Sequence, residues 1–131
     1  MSSIVEAGTF GRTISLRIAP NEDVAGAIEK ACAANNVTHA CVRSGLGSLI
    51  DACMETGRGR DPVEILGPAV EILALLGEVR PDEDGKPCAS LSGTVGDPSG
   101  RVFGGRFVRG KNRVCVTAEV VFQEWLPTAA N

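Results

Sequence analysis

The side chains with the most chemical potential gather around residues 85–107, "GKPCASLSGTVGDPSGRVFGGRF". This stretch reads as two short strands joined by a turn, with Ser90 and Ser92 on the first and Gly104-Gly105-Arg106 on the second. Adjacent glycines weaken a strand, so they imply a close backbone approach or a space that must stay empty. From Arg101 to Arg113 five cations (Arg101, Arg106, Arg109, Lys111 and Arg113) occur with no acid among them. Strand alternation places Arg101 and Arg109 on one face and Arg106 on the other. The run suits a patch that touches phosphates; the competing reading is a solvated strand and turn whose charges blunt a sheet edge. Residues 57–62, "GRGRDP", carry Arg58 and Arg60 in the Arg-Gly-Arg core of a minor-groove AT-hook. Asp61 intervenes where a hook continues with proline, and its charge would face DNA phosphates, so a mobile surface loop is the alternative.

Other reactive types offer less. Cys32, Cys41, Cys53, Cys88 and Cys115 are odd in number, widely spaced and without a CxxC pair. A disulfide framework or structural zinc site therefore does not fit, and small buried hydrophobes do. A Cys88–His39 dyad would need the fold to join residues far apart in sequence. His39, the only histidine, suits a hydrogen-bonded core or interface position. "SGLGS" (44–48) reads as a tight backbone turn, with no helix start behind it to cradle a phosphate.

The elements that must position these residues follow from periodicity. "TISLRI" (13–18) alternates, with Ile14, Leu16 and Ile18 on one face, as a half-buried strand does. Residues 20–36 predict a helix, with Asn21 as N-cap and Glu22 and Asp23 in the first turn. Val24, Ala27, Ile28 and Ala31 form its apolar face, and Asn35-Asn36 its stop. Strands are expected at about 37–43, 48–55, 69–79, 88–95, 101–108 and 113–123. In the last, Val114, Val116, Ala118, Val120 and Phe122 share a side. "DPSG" (97–100) marks a turn. The heptad-like "VEILGPAVEIL" is broken by Gly67-Pro68, so two β segments around a turn are predicted there rather than a helix. One helix on a largely antiparallel sheet is an α+β domain.

The chain has 131 residues, 44% hydrophobic and 22% charged. That is the scale of one domain burying about 65–70% of its unfolded surface. A net charge of −3 gives no overall electrostatic footprint for nucleic acid or an anionic membrane. Residues 1–13 lack the apolar core of a signal peptide, and Ala69 to Val79 is too short for a bilayer and contains Glu71. A cytoplasmic location without membrane contact is the expectation.

"VRSGLGSL" (42–49), "GPAVEILALLGEV" (67–79), "GRVFGGRFVRG" (100–110) and "VTAEVVF" (116–122) occur in the order and spacing of the PPC (plants and prokaryotes conserved) domain. The similarity covers about residues 13 to 124. It implies an α+β fold with a mostly antiparallel sheet around one helix, assembled as a homotrimer. Plant members of that family carry AT-hooks, and prokaryotic members are often labelled DNA-binding by analogy, without a defined activity. The family pattern also implies a zinc site, with H-x-H on the strand before the turn and G-G-H on the strand after it.

Here the matching positions are Ser90, Ser92 and Arg106. Neutral hydroxyls are poor zinc ligands, and a guanidinium cannot coordinate and repels a cation. No metal or other cofactor is therefore expected. Arg106 instead offers a forked donor for carboxylate or phosphate, Ser90 and Ser92 add hydrogen bonds, and Gly104-Gly105 allow close approach. The alternative is a lost site in which Arg106 pairs with Glu71 or Glu119. Three functions remain: a metal-free binding or structural homotrimer with its site turned to a small anion; DNA binding through Arg58, Arg60, Arg101, Arg109, Lys111 and Arg113; and an enzyme, which would need Glu71 as a base near Arg106.

Overall fold

The computed structural model describes residues 1–128. In chain order its elements are β1 (Gly8–Ile18), α1 (Val24–Ala34), β2 (Ala40–Leu49), β3 (Ala52–Glu55), β4 (Val63–Ile65), β5 (Val70–Pro81), β6 (Pro87–Gly96), β7 (Val102–Phe107) and β8 (Val114–Pro127). All the strands join one eight-stranded sheet in the order β1-β8-β2-β5-β6-β7-β3-β4. Every ladder is antiparallel. One helix on a mostly antiparallel sheet is the expected α+β arrangement.

α1 turns Val24, Ala25, Ala27, Ile28 and Cys32 inward and packs over β6 and β1. They join Ile18, Leu49, Val70, Val79, Val95, Val120 and Phe122 in a core whose members are almost wholly removed from water. Each large aliphatic or aromatic side chain so buried is worth about 1.5–3 kcal/mol. The helix begins later than expected. Asn21 has a left-handed φ of 70° and belongs to the preceding turn, donating its amide to the Val114 carbonyl at 2.8 Å. Asp23 is the N-cap, accepting the Gly26 amide at 3.0 Å, so Glu22 and Asp23 precede the first turn. The stop is as expected: Asn35 caps the end, its side-chain amide donating to the Ala31 carbonyl at 2.8 Å, and Asn36 turns left-handed at 56°.

Residues 44–48 are not a turn. They lie inside β2, whose two glycines let neighbours close in. A Cβ at Gly45 would sit 2.5 Å from Leu75 Cδ2, and one at Gly47 would strike the Thr117 carbonyl. The chain breaks only after Leu49, at Ile50 and Asp51, before β3. Val116, expected inside, is 67% exposed, whereas Val114, Ala118, Val120 and Phe122 are buried. The register shift of β2 against β8 between Gly47 and Leu49 interrupts the alternation there. The break at Gly67-Pro68 does separate two β segments, β4 and β5.

Candidate functional site

Alternation and register set the site. Across β6 and β7, Ser92 opposes Arg106, Gly93 opposes Gly105 and Thr94 opposes Gly104. Ser92, Thr94, Gly104 and Arg106 therefore share one face, while Leu91 and Val95 point into the core. Ser90 lies on the same face but beyond the end of β7, exposed and opposite Glu78 of β5. On the far side of β7, Glu55 of β3 opposes Arg106. The chain leaving β3 through Thr56, Gly57, Arg58, Gly59 and Arg60 forms the other wall of a cleft of about 890 Å³, with Ser92–Thr94 and Gly104–Arg106 opposite. The hairpin is closed by Asp97, whose Oδ1 accepts the amides of Ser99 and Arg101 at 3.0 and 2.8 Å.

The two glycines of the opening motif have different causes. A Cβ at Gly105 would strike the Glu55 carbonyl, so this glycine permits the β3–β7 approach. A Cβ at Gly104 would come no nearer than 3.4 Å, an ordinary contact with Thr94 Cγ2, so packing does not demand glycine there. Its bare backbone leaves that part of the cleft wall open.

Arg106 is exposed, and among the described residues no carboxylate comes within 4.0 Å of it. Neither expected partner serves. Glu71 opposes Gly96 and Ser48 near the start of β5, outside the cleft, and Glu119 accepts from Arg17 at 2.9 Å. Glu71 thus joins neither an ion pair with Arg106 nor the set of residues around it.

The other cations divide. Arg101 binds Asp97 at 2.9 Å and lies 5.8 Å over the Phe103 ring. Arg109 binds Glu29 of α1, the Cys88 sulfur at 3.1 Å and the Ala89 carbonyl at 3.4 Å. Its hydrogen bond to Glu29 raises the guanidinium pKa above the ordinary value. Both therefore serve local structure and point away from the Arg106 face. Lys111 and Arg113 border a separate hollow with Asp51 and Glu64. Arg58 and Arg60 alone of the proposed DNA contacts lie beside Arg106.

Sequence reasoning missed Asn112, Glu55 and Thr94. Asn112 is 1% exposed. Its Oδ1 accepts the Cys53 amide at 2.8 Å, and its Nδ2 donates to the carbonyls of Cys53 and Val108 at 3.1 and 2.9 Å. Its amide donates to Asp23 Oδ1 at 3.0 Å, tying the loop after β7 to β3 and to the helix cap. Thr94 continues the Ser90/Ser92 alternation, a signal that was available. Glu55 carries no such mark, because its place depends on β3 pairing with β7.

Cys32 is fully buried, and burial, followed by the nearby Glu29 charge, pushes its thiol up to about 11. The other four cysteines are half-buried, and all five are free thiols. His39 Nδ1 meets Thr38 Oγ1 at 3.0 Å, and the His39 carbonyl accepts the Trp125 amide at 2.9 Å. β5 runs between β2 and β6, so His39 and Cys88 lie about two strand spacings, roughly 10 Å, apart. Among the described residues no three His, Cys, Asp or Glu side chains are grouped so as to hold a metal ion, and no described helix is long and apolar enough to cross a membrane.

Comparison with known proteins gives this geometry a context. The model of the Plants and Prokaryotes Conserved (PCC) domain matches residues 5–126. A plant- and prokaryote-conserved (PPC) protein of Pyrococcus horikoshii superposes with a TM-score of 0.80 at 22% identity, covering 98% of this chain and 87% of its own. A metal-containing protein of Archaeoglobus fulgidus does so at 0.80 and 22%, covering 97% and 89%. A Bacteroides thetaiotaomicron protein, provisionally named as DNA-binding, reaches 0.73 at 13%, covering 95% and 86%. At these identities the likeness is one of fold. No curated protein matches.

Proposed function

The chain belongs to the Plants and Prokaryotes Conserved (PCC) domain family, and from that premise we propose that it is a cytoplasmic homotrimeric binding protein without catalytic activity, whose cleft holds a small anion. The single observation that carries this reading is Arg106. It lies in a cleft with hydroxyls on the same face and no carboxylate partner among the described residues. An unpaired guanidinium presents a planar fork matched to carboxylate or phosphate oxygens. Ser92 stands across the ladder from it, and Ser90 extends the same face. Glu71 no longer belongs to this site, since it lies outside the cleft.

The residues present do not fit the zinc that the family resemblance implies. Ser90 and Ser92 offer neutral hydroxyls, and Arg106 directly opposes Ser92 with a fixed positive charge. The metal site is thus read as lost and its cleft as turned to the opposite charge. The trimer rests on the resemblance; Leu73, Leu76, Val102 and Val116 are exposed apolar side chains that an interface could cover.

A thermal-shift series tests the reading. Inorganic phosphate should raise the Tm of the wild-type chain, by ligand linkage worth about 2.7 kcal/mol at a hundredfold excess over Kd. Zinc should leave it unchanged, and Arg106→Gln should markedly weaken the phosphate response. An undiminished phosphate response in Arg106→Gln would sink the assignment.

DNA binding is favoured by a different observation, the placement of Arg58 and Arg60 beside Arg106. Against it, Arg101 and Arg109 are engaged by Asp97 and Glu29. Non-specific DNA binding has a Kd of about 10⁻⁴–10⁻⁶ M and falls steeply with salt. A titration with duplex DNA at low salt that shows no binding removes this reading.

A further inference from the structure

The cleft has more cationic capacity than a single small anion needs. Arg106 comes from β7, whereas Arg58 and Arg60 come from the segment that follows β3, and all three line the same space. Among the described residues none of the three has a carboxylate within 4.0 Å. Glu55 is the one acid in the lining, so three guanidinium charges face one carboxylate. Like charges gathered along one open cleft repel one another and create a positive potential, which an anion relieves.

Size and lining narrow the ligand further. A volume of about 890 Å³ lies in the range of organic-ligand sites, far beyond the need of one phosphate ion. The lining side chains are arginine, glutamate, serine and threonine, with five glycines and no aromatic ring. A nucleobase would find no stacking surface in such a cleft. Hydroxyl-bearing carbon chains suit it better, since Glu55, Ser92 and Thr94 can exchange hydrogen bonds with hydroxyl groups. Gly104, which packing does not require, leaves that wall free for such a body.

We infer that the cleft binds a small phosphorylated sugar or polyol carrying two phosphate groups, one on Arg106 with Ser92 and the other on Arg58 and Arg60. This rests on the reading of the cleft as an anion site and adds a second anchoring point to it. The ligand therefore bridges the β6–β7 hairpin and the loop after β3.

Titration calorimetry of the full chain with inorganic phosphate, fructose bisphosphate and a short DNA duplex tests the inference. Fructose bisphosphate should bind at least about tenfold more tightly than phosphate, because two charge-assisted contacts replace one. The double variant Arg58→Gln/Arg60→Gln should lose that advantage, weakening fructose bisphosphate by a larger factor than phosphate. Arg106→Gln should weaken both ligands. Equal affinities for phosphate and bisphosphate would overturn the two-point ligand and leave the single-anion site standing. Absence of binding by either would overturn both. Tighter binding of the duplex, weakened by the double variant, would overturn the inference in favour of DNA.

Discussion

Arg106 and Asn112 lie six positions apart in sequence and have opposite roles. Arg106 is exposed and touches no described acid, so replacing it should change ligand binding and hardly touch the fold. For Arg106→Gln the expected stability change is within about 0.5 kcal/mol, read as an unchanged urea midpoint. Asn112 is buried, and its side chain satisfies the amide and carbonyl of Cys53 and the carbonyl of Val108. Asn112→Ala strands these groups away from water and should cost about 2–4 kcal/mol, a clear drop in the same midpoint. An undiminished midpoint would show that water replaces the amide. Both residues sit in a run whose charged members are all basic. Which of its members are engaged depends on partners such as Glu29, 80 positions from Arg109, and no local pattern carries that information.

At the scale of elements, glycine was the hardest residue to read. The hairpin at 87–107 was legible because alternation and the "DPSG" turn point the same way. "SGLGS" was misread because glycine pairs signal turns, whereas these two admit Leu75 and the Thr117 carbonyl against β2. The contrast is measurable. Gly47→Ala places a Cβ against backbone at a φ of +136° and should destabilise by about 3 kcal/mol or more. Gly104→Ala meets only ordinary contact and should fold normally while weakening the ligand. Thermal unfolding of the two variants side by side distinguishes these outcomes. The helix start was misplaced by two residues for a related reason: an asparagine in the left-handed region resembles a cap in sequence.

The segment before β1 is fastened by Glu6, whose carboxylate accepts from Trp125 Nε1 at 2.5 Å and from Arg80 at 3.1 Å. The Trp125 bond, then Arg80, holds the Glu6 pKa below its ordinary 4.5. Because the folded pKa is depressed, this fastening is complete above pH 4.5 and is lost as pH falls through the lower folded value. Trp125 is the only tryptophan, so its fluorescence reports the change directly. Wild-type emission should shift on acidification below pH 4.5. Glu6→Gln should remove that part of the shift, and an identical titration in the variant would refute the tether.

For the whole molecule, the fold class was readable because one helical segment stood among alternating strands. The order of the strands was not, and the site depends on it. Placing β7 between β6 and β3 puts Glu55 and the Arg58–Arg60 loop beside Arg106 and leaves Glu71 outside the cleft. The same scale governs assembly. Light scattering should give a mass three times the 13.6 kDa of the chain. A charge at Leu76, which is 57% exposed on the face that carries Ser92, should lower it if that face is covered by a second copy. The central claim is that this member of the family holds an anion where its resemblance implies a cation. Equilibrium dialysis of the purified chain against zinc and phosphate in parallel tests it most directly. Phosphate retained in proportion to protein, with zinc washed away, is the predicted result; zinc retained in proportion to protein, with phosphate lost, would contradict it.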